Sequence, residues 1–341
     1  MNFTSMPKPL KIFLYSFLAL FLLSLLVLFS FSYWYVSEFT KAAGITNNDL
    51  KQLLLATKNT QFEDFNFLVL GLDSRPGEKT LLTDTIILGM ARPSRGKISF
   101  LSLPRDLWIS DLATKINALY YYGKKTNPAD PTYLIKENVR AITGEEINYS
   151  ILLNFDKISE LIDLLGGIEV EVVEAFEDDA YPLDDGSGQT TTIRFEEGKQ
   201  LMNGERTLQY IRSRKSANPD EGNDLARNRR QLQVVEAVLA KVSSFSLLKE
   251  PAFSGQLYRF YNNLEKDLPA PVLLRLGEAY LKNKISFEFL SLPAEFLTTP
   301  PVSKYGLWVF EPKAGNWEEI REWMEGKNAN KNELETNKRE R

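Results

Sequence analysis

A chain of 341 residues, 43% hydrophobic and 25% charged with a net charge of −4, is long enough for one large globular domain or two small ones. It contains neither histidine nor cysteine, which excludes a Ser-His-Asp triad, an imidazole base, thiolate nucleophiles, disulfides and metal sites built on imidazole or thiolate. Chemistry is left to carboxylates, Lys, Arg, Tyr and hydroxyls, and a bound metal would sit among oxygen ligands, as Mg2+, Mn2+ or Ca2+ prefer.

The first element is IFLYSFLALFLLSLLVLFSFSYWYV, Ile12 to Val36, which carries no charged residue. At about 1.5 Å per residue it spans a hydrocarbon core of about 30 Å. It is too long for the apolar region of a cleaved signal peptide, so it predicts a retained single-pass membrane anchor. Lys8 and Lys11 precede it, while Glu38 and Lys41 cancel after it. The positive-inside rule therefore places residues 1–11 in the cytoplasm and everything after 36 outside, with Tyr33, Trp34 and Tyr35 in the outer interfacial belt. Residues 37–62 read as a short polar stalk in which NNDLKQLLLATK has helical character. Residues 63–322 contain neither a flexible linker nor a repeat and predict one extracytoplasmic domain. Residues 323–341 are charged and nearly free of apolar side chains, which predicts disorder.

Within the domain, DFNFLVLGLD (64–73), TDTIILGMAR (83–92) and KISFLSLPRD (97–106) read as three consecutive strands. Their short connections favour an antiparallel meander, which gathers Asp73, Asp84, Arg105 and Asp106 at one sheet edge. Asp is also a common turn residue. Two carboxylates held at one edge repel, however, unless a divalent cation or a guanidinium, such as that of Arg75 or Arg105, sits between them. Further on, PTYLIKENVRAITG predicts a helix begun by Pro131 and stopped at Gly144, NYSILLNF a strand, DKISELIDLLGG a helix opened by Asp156 and closed at Gly166, and IEVEVVE a strand. This alternation predicts an α/β fold with three layers around a central mixed sheet. No glycine-rich phosphate loop of the nucleotide-binding type is present.

Residues 212–231, RSRKSANPDEGNDLARNRRQ, concentrate cationic side chains in an acidic chain. LMNGERTLQYIRSRK fits a helix capped by Asn203 that loosens near Ile211, and extended backbone beyond it puts Arg212 and Arg214 on one face. Asn223 or Asp224 caps a second helix carrying Arg227, Arg230 and Gln231 in its first turns, where the helix dipole favours an anion. Leu232, Val235, Leu239 and Val242 form its apolar stripe. Guanidinium groups at the head of a buried helix read as a phosphate site rather than a solvated face. Nucleic acid is a poor partner for a domain that is acidic overall and lies outside the cell.

The ordered series LVLGLDSR, TDTIIL, FLSLPRDLWI, KINALYYYG, LLNFDKISELIDLLGGIEVEV, MNGERTLQYIRSR and ARNRRQLQVV resembles the LytR-CpsA-Psr family of bacterial envelope glycopolymer transferases over about residues 63 to 245. The resemblance implies a three-layer α/β/α sandwich behind one transmembrane helix. It also implies a phosphotransferase of the bacterial cell membrane that takes a glycan from a polyprenyl-pyrophosphate carrier and joins it to a peptidoglycan hydroxyl as a phosphodiester. By motif position Asp73 and Asp84 would be its Mg2+-associated carboxylates, with Mn2+ as an alternative ion. Arg75, Arg105, Arg212, Arg214, Arg227 and Gln231 would hold the pyrophosphate. Asp73, Asp84 and Arg105 would form the catalytic set. Two positions depart from the pattern: Leu82 stands where the family often has Arg, and Ala226 where it often has Gly. A hydrolase of the same carrier and a non-catalytic receptor for lipid phosphate or anionic polymer are the alternatives.

Overall fold

The computed structural model describes residues 8–61, 63–73, 81–183, 187–218, 220–243, 249–283 and 285–328. Among these described residues there are two compact units, one within residues 8–55 and 249–263 and one within residues 56–243 and 264–328. The first begins with α1 (Lys8–Ala43), which runs past the expected end of the anchor at residue 36 into what the sequence reads as stalk. Its stretch Tyr15–Ala43 is long and apolar enough to cross a membrane. Gly44, at φ +71°, ends it in the left-handed region that glycine adopts without strain. The helix α2 (Asn47–Asn59) follows, opened by a reciprocal cap in which Thr46 N–H donates to Asp49 Oδ2 (2.9 Å) and Asp49 N–H to Thr46 Oγ1 (3.2 Å).

The second unit is built on the meander β1 (Phe65–Asp73), β2 (Leu82–Arg92) and β3 (Lys97–Leu103), antiparallel as the short connections require, with Leu70 opposite Ile86 and Ile87 opposite Ser102. After a small hairpin, β4 (Trp108–Ile109) and β5 (Thr114–Lys115), the chain forms α3 (Leu119–Thr126) and α4 (Tyr133–Thr143). It re-enters the sheet as β6 (Tyr149–Asn154), parallel to β1. Next come α5 (Phe155–Leu164), β7 (Ile168–Val172), β8 (Phe176–Pro182), β9 (Thr190–Phe195) and β10 (Gly198–Met202). The cap of α5 is Asn154, whose side chain accepts the Lys157 N–H at 2.9 Å, and not the expected Asp156. The sequence predicts β7, and the structure pairs it with β10 and adds the β8–β9 hairpin, both antiparallel.

The helices α6 (Gly204–Arg212) and α7 (Asp224–Ser243) carry the arginine run. The following α8 (Pro251–Asn262), which falls within the residues 63–322 that the sequence reads as one domain, belongs to the first unit and packs on the C-terminal end of α1. A Cβ at Gly255 would lie 2.5 Å from the Phe39 carbonyl oxygen and 2.8 Å from Ala42 Cβ, and the Phe39 and Tyr258 rings are 6.1 Å apart. The second unit closes with β11 (Glu265–Lys266), α9 (Ala270–Asn283), β12 (Ser286–Ser291), β13 (Leu297–Thr298), β14 (Glu311–Pro312) and α10 (Glu318–Asn328).

The sheet order β11-β6-β1-β2-β3-β12 is mixed, with β1–β6 and β3–β12 parallel. Period-two alternation divides its side chains between two cores. Leu68, Leu70, Leu88 and Leu101 pack with Leu119, Ile135, Val139 and Met324 on one side. Phe67, Ile87 and Phe100 pack with Leu232, Val272 and Ala279 on the other. Helices on both faces make the three-layer α/β/α arrangement. The tail expected to be disordered from 323 is helical through Asn328, because Ile320 and Met324 lie one turn apart on a buried face and Trp323 packs beside them. Residues 329–341 lie outside the described residues.

Candidate anion-binding cleft

The meander delivers its acidic and basic side chains to one edge. The end of β1 carries Asp73, directly opposite Leu82 at the start of β2; Asp84 follows, and Arg105 lies just beyond β3. The last turn of α6 and the extended segment after it add Arg212, Arg214 and Lys215. The first turns of α7 add Arg227 and Gln231, and the β8–β9 hairpin and the head of α5 complete a cleft of about 390 Å3. Asp73, Asp84, Arg105, Arg212, Arg214, Arg227 and Gln231 all line it, although they come from five parts of the chain. Arg75 lies outside the described residues. Leu82 faces the same cleft, and Ala226 is buried in the first turn of α7.

Arg105 is the hub of the charges. Its Nη1 donates to Asp84 Oδ2 at 2.6 Å, while Nη2 is 3.4 Å from Asp224 Oδ1 and Nε 3.5 Å from Asp106 Oδ2. Arg227 is 3% exposed, with Nη1 3.0 Å from Asp224 Oδ1 and 4.0 Å from Asp84 Oδ2. Burial pushes the Asp84 carboxyl upward, but the ion pair and hydrogen bond with Arg105, with Arg227 and Arg214 nearby, hold it below the usual carboxylate value. Burial, aided by repulsion from Arg105, lowers the Arg227 guanidinium to about 10. Arg227 Nε and Nη2, Gln231 Oε1 and Asp84 Oδ1 are buried without a hydrogen-bond partner. Native folds rarely leave such donors and acceptors unmet away from a ligand.

The run 212–231 divides between two tasks. Arg212 lies over the Phe155 ring (4.3 Å) and donates to Tyr181 Oη at 3.1 Å, which aims it into the cleft. It is the last residue of α6 rather than extended, and the chain leaves the helix at Ser213. Asp178 pins that segment: its Oδ2 accepts from Ser213 Oγ (2.7 Å) and from the N–H groups of Arg214 and Lys215 (3.1 Å each). Arg230, carried by the same helix but outside the set expected to hold the pyrophosphate, is not among the residues lining the cleft and is 1% exposed. It donates to Glu221 Oε2 at 2.5 Å and to the carbonyls of Glu221, Tyr210 and Ser213, and Arg229 joins the same carboxylate. This pair ties the end of α6 to α7.

Asp178, Lys215, Tyr181 and Phe155 escaped sequence reasoning. The sequence offers Asp224 as a cap, a task that Asn223 performs by accepting the Ala226 N–H at 2.8 Å. Its place three residues before Arg227 on one helix face was the available signal.

Residues 32–326 match the LytR_cpsA_psr family. The chain is 30% identical over 219 residues to the polyisoprenyl-teichoic acid–peptidoglycan teichoic acid transferase TagU of Oceanobacillus iheyensis, a match covering 63% of this chain and 62% of that protein. It is 32% identical over 189 residues to the protein of the same name from Halalkalibacterium halodurans, covering 54% and 55%. The matches thus span less than two thirds of either relative. The crystal structure of Bacillus subtilis TagV superposes with a TM-score of 0.60 at 25% identity, over 78% of this chain and 98% of that one.

Proposed function

Because the chain belongs to the LytR-CpsA-Psr family, we propose that it is a membrane-anchored phosphotransferase moving a glycopolymer from a polyprenyl-pyrophosphate carrier to a peptidoglycan hydroxyl. The observation that carries this reading is the pair of guanidiniums with buried, unmet N–H donors, the half-buried Arg105 and the buried Arg227, set against Asp84 at one sheet edge. The two TagU relatives are named for this reaction with teichoic acid. On this reading α1 holds the domain at the cell membrane, and Lys8 and Lys11 place the amino terminus in the cytoplasm and the cleft outside.

A pyrophosphate linkage is already activated, so positioning and charge neutralisation suffice without a histidine or ATP. The acceptor oxygen forms a bond to the phosphorus that bears the glycan. The bridging P–O bond breaks toward the lipid, which leaves as its monophosphate, and the hydroxyl proton passes to a carboxylate. Asp84 is a poor acceptor, since its partners hold it ionised. Asp73, in the same cleft, is our candidate. Arg105, Arg214 and Arg227 would neutralise the phosphate oxygens, with Arg212 and Gln231 orienting them. The residues fit Mg2+ or Mn2+: Asp84 Oδ1 is a buried oxygen without a hydrogen bond, and Asp73 offers a second carboxylate. Such an ion would supply further neutralisation of the pyrophosphate.

The test is the full chain in lipid nanodiscs with a pyrophosphate-linked glycan, Mg2+ and a peptidoglycan acceptor, with products resolved by mass spectrometry. A transferase releases lipid phosphate and makes the phosphodiester; a hydrolase gives free glycan phosphate with or without acceptor. Tight binding without release would support the receptor reading, which Leu82 in the cleft favours.

Arg227→Met should weaken pyrophosphate binding by about 1.5–3 kcal/mol, the range for hydrogen bonds to a charged group. It should also leave the melting temperature of the ligand-free chain unchanged or raised, because a buried guanidinium with two unbonded donors has gone. Calorimetric titration and thermal unfolding of the same samples check both.

A further inference from the structure

The guanidinium groups that face the cleft already hold an anion, and the reaction proposed above does not use it. Asp224 Oδ1 lies 3.0 Å from Arg227 Nη1, 3.4 Å from Arg105 Nη2 and 3.9 Å from Arg214 Nη1. The carboxylate is within ion-pairing distance of three cations, yet this oxygen is buried and in hydrogen-bonding geometry with none of them. Arg227 Nε and Nη2 and Arg105 Nε are equally unmet. Capping does not hold Asp224 there, since Asn223 caps α7. Charge is therefore balanced while donors stay undersaturated. A phosphate offers those donors more oxygens and more charge than one carboxylate can. Asp224 and a phosphate placed among the same arginines would repel each other.

We infer that Asp224 is a resident counter-ion of the cleft: it holds Arg105, Arg214 and Arg227 together before substrate arrives, and it competes with the substrate's phosphates for them. This rests on the reading of the cleft as a pyrophosphate site. Asp224 sets affinity from both sides, because it stabilises the ligand-free arrangement and repels the ligand. A counter-ion of this kind loosens the grip on substrate and on the phosphate product alike, favouring release and turnover over tight binding.

The test uses the full chain in nanodiscs and inorganic pyrophosphate, without divalent cation so that only side chains contribute. Asp224→Asn should melt lower than wild type when ligand-free, bind pyrophosphate about tenfold more tightly, and gain more thermal stabilisation from it. In the transfer assay KM and kcat should fall together. Asp224→Glu, which keeps the charge, should stay near wild type in affinity. If Asp224→Asn binds pyrophosphate as wild type does, or more weakly, the inference is wrong and Asp224 orders the arginines for ligand. Were the Asn variant recovered folded only with pyrophosphate present, the inference would stand; no recovery with it would overturn it. Wild-type chain that shows no pyrophosphate binding would instead remove the reading of the cleft itself.

Discussion

Asp84→Asn will lower turnover of a pyrophosphate-linked glycan by about 10²–10³-fold, the scale of losing one preorganised electrostatic group, while the lipid binds as well as before or better. Asparagine has the shape of aspartate, and its amide oxygen can still accept from Arg105 Nη1, so the sheet edge should keep its form. What disappears is a negative charge beside three guanidiniums, held ionised by them against its burial. In the ground state that loss relieves repulsion of the pyrophosphate. During transfer it removes the counter-charge that fixes Arg105, and with it the anionic oxygen available to a divalent ion. Lipid phosphate release measured beside lipid binding separates the two effects. Unchanged turnover in the Asn variant would show that Asp84 merely anchors Arg105. EDTA should abolish wild-type turnover, with Mg2+ or Mn2+ restoring it.

The largest expected effect on stability lies outside the cleft, at Arg230. Arg230→Met should cost about 3–5 kcal/mol, the range for removing one partner of a buried ion pair. The substitution leaves the Glu221 carboxylate buried and strips donors from the carbonyls of Tyr210, Glu221 and Ser213. Thermal or urea unfolding reads the loss directly. Replacing Glu221 as well, with Arg230→Met and Glu221→Met in one chain, should recover part of it, since the buried carboxylate that the single variant leaves with Arg229 alone has gone too. Because Arg230 binds the backbone at Ser213, one residue from both Arg212 and Arg214, pyrophosphate affinity should fall in the single variant even where it is folded.

These two positions mark how far the sequence could be read. The meander, its shared edge and the α6–α7 arginines were legible because strand alternation, short connections and helix spacing are local signals. The partition of the arginines was not. Arg227 and Arg230 stand three apart on one helix, and spacing alone cannot tell which guanidinium meets the cleft and which meets Glu221. Asp178 was invisible for a different reason: its partners Ser213, Arg214 and Lys215 are 35 to 37 positions away, and it sits in a strand whose polar composition hides the alternation. The charged carboxy-terminal stretch misled in the opposite sense, since two apolar residues one turn apart, Ile320 and Met324, suffice to seat a helix that average composition assigns to solvent.

The seat of α8 on α1 bears on how the protein can be prepared. A fragment trimmed to begin after Gly44 would discard the Phe39–Ala43 turn that fills the notch at Gly255 and would leave the Tyr258 ring without its neighbour. Its freshly bared helix flank would invite self-association in solution, so aggregation of such a preparation would report a missing splint rather than misfolding of the second unit. A cut placed before Ser37 keeps the splint and removes most of the membrane-crossing stretch.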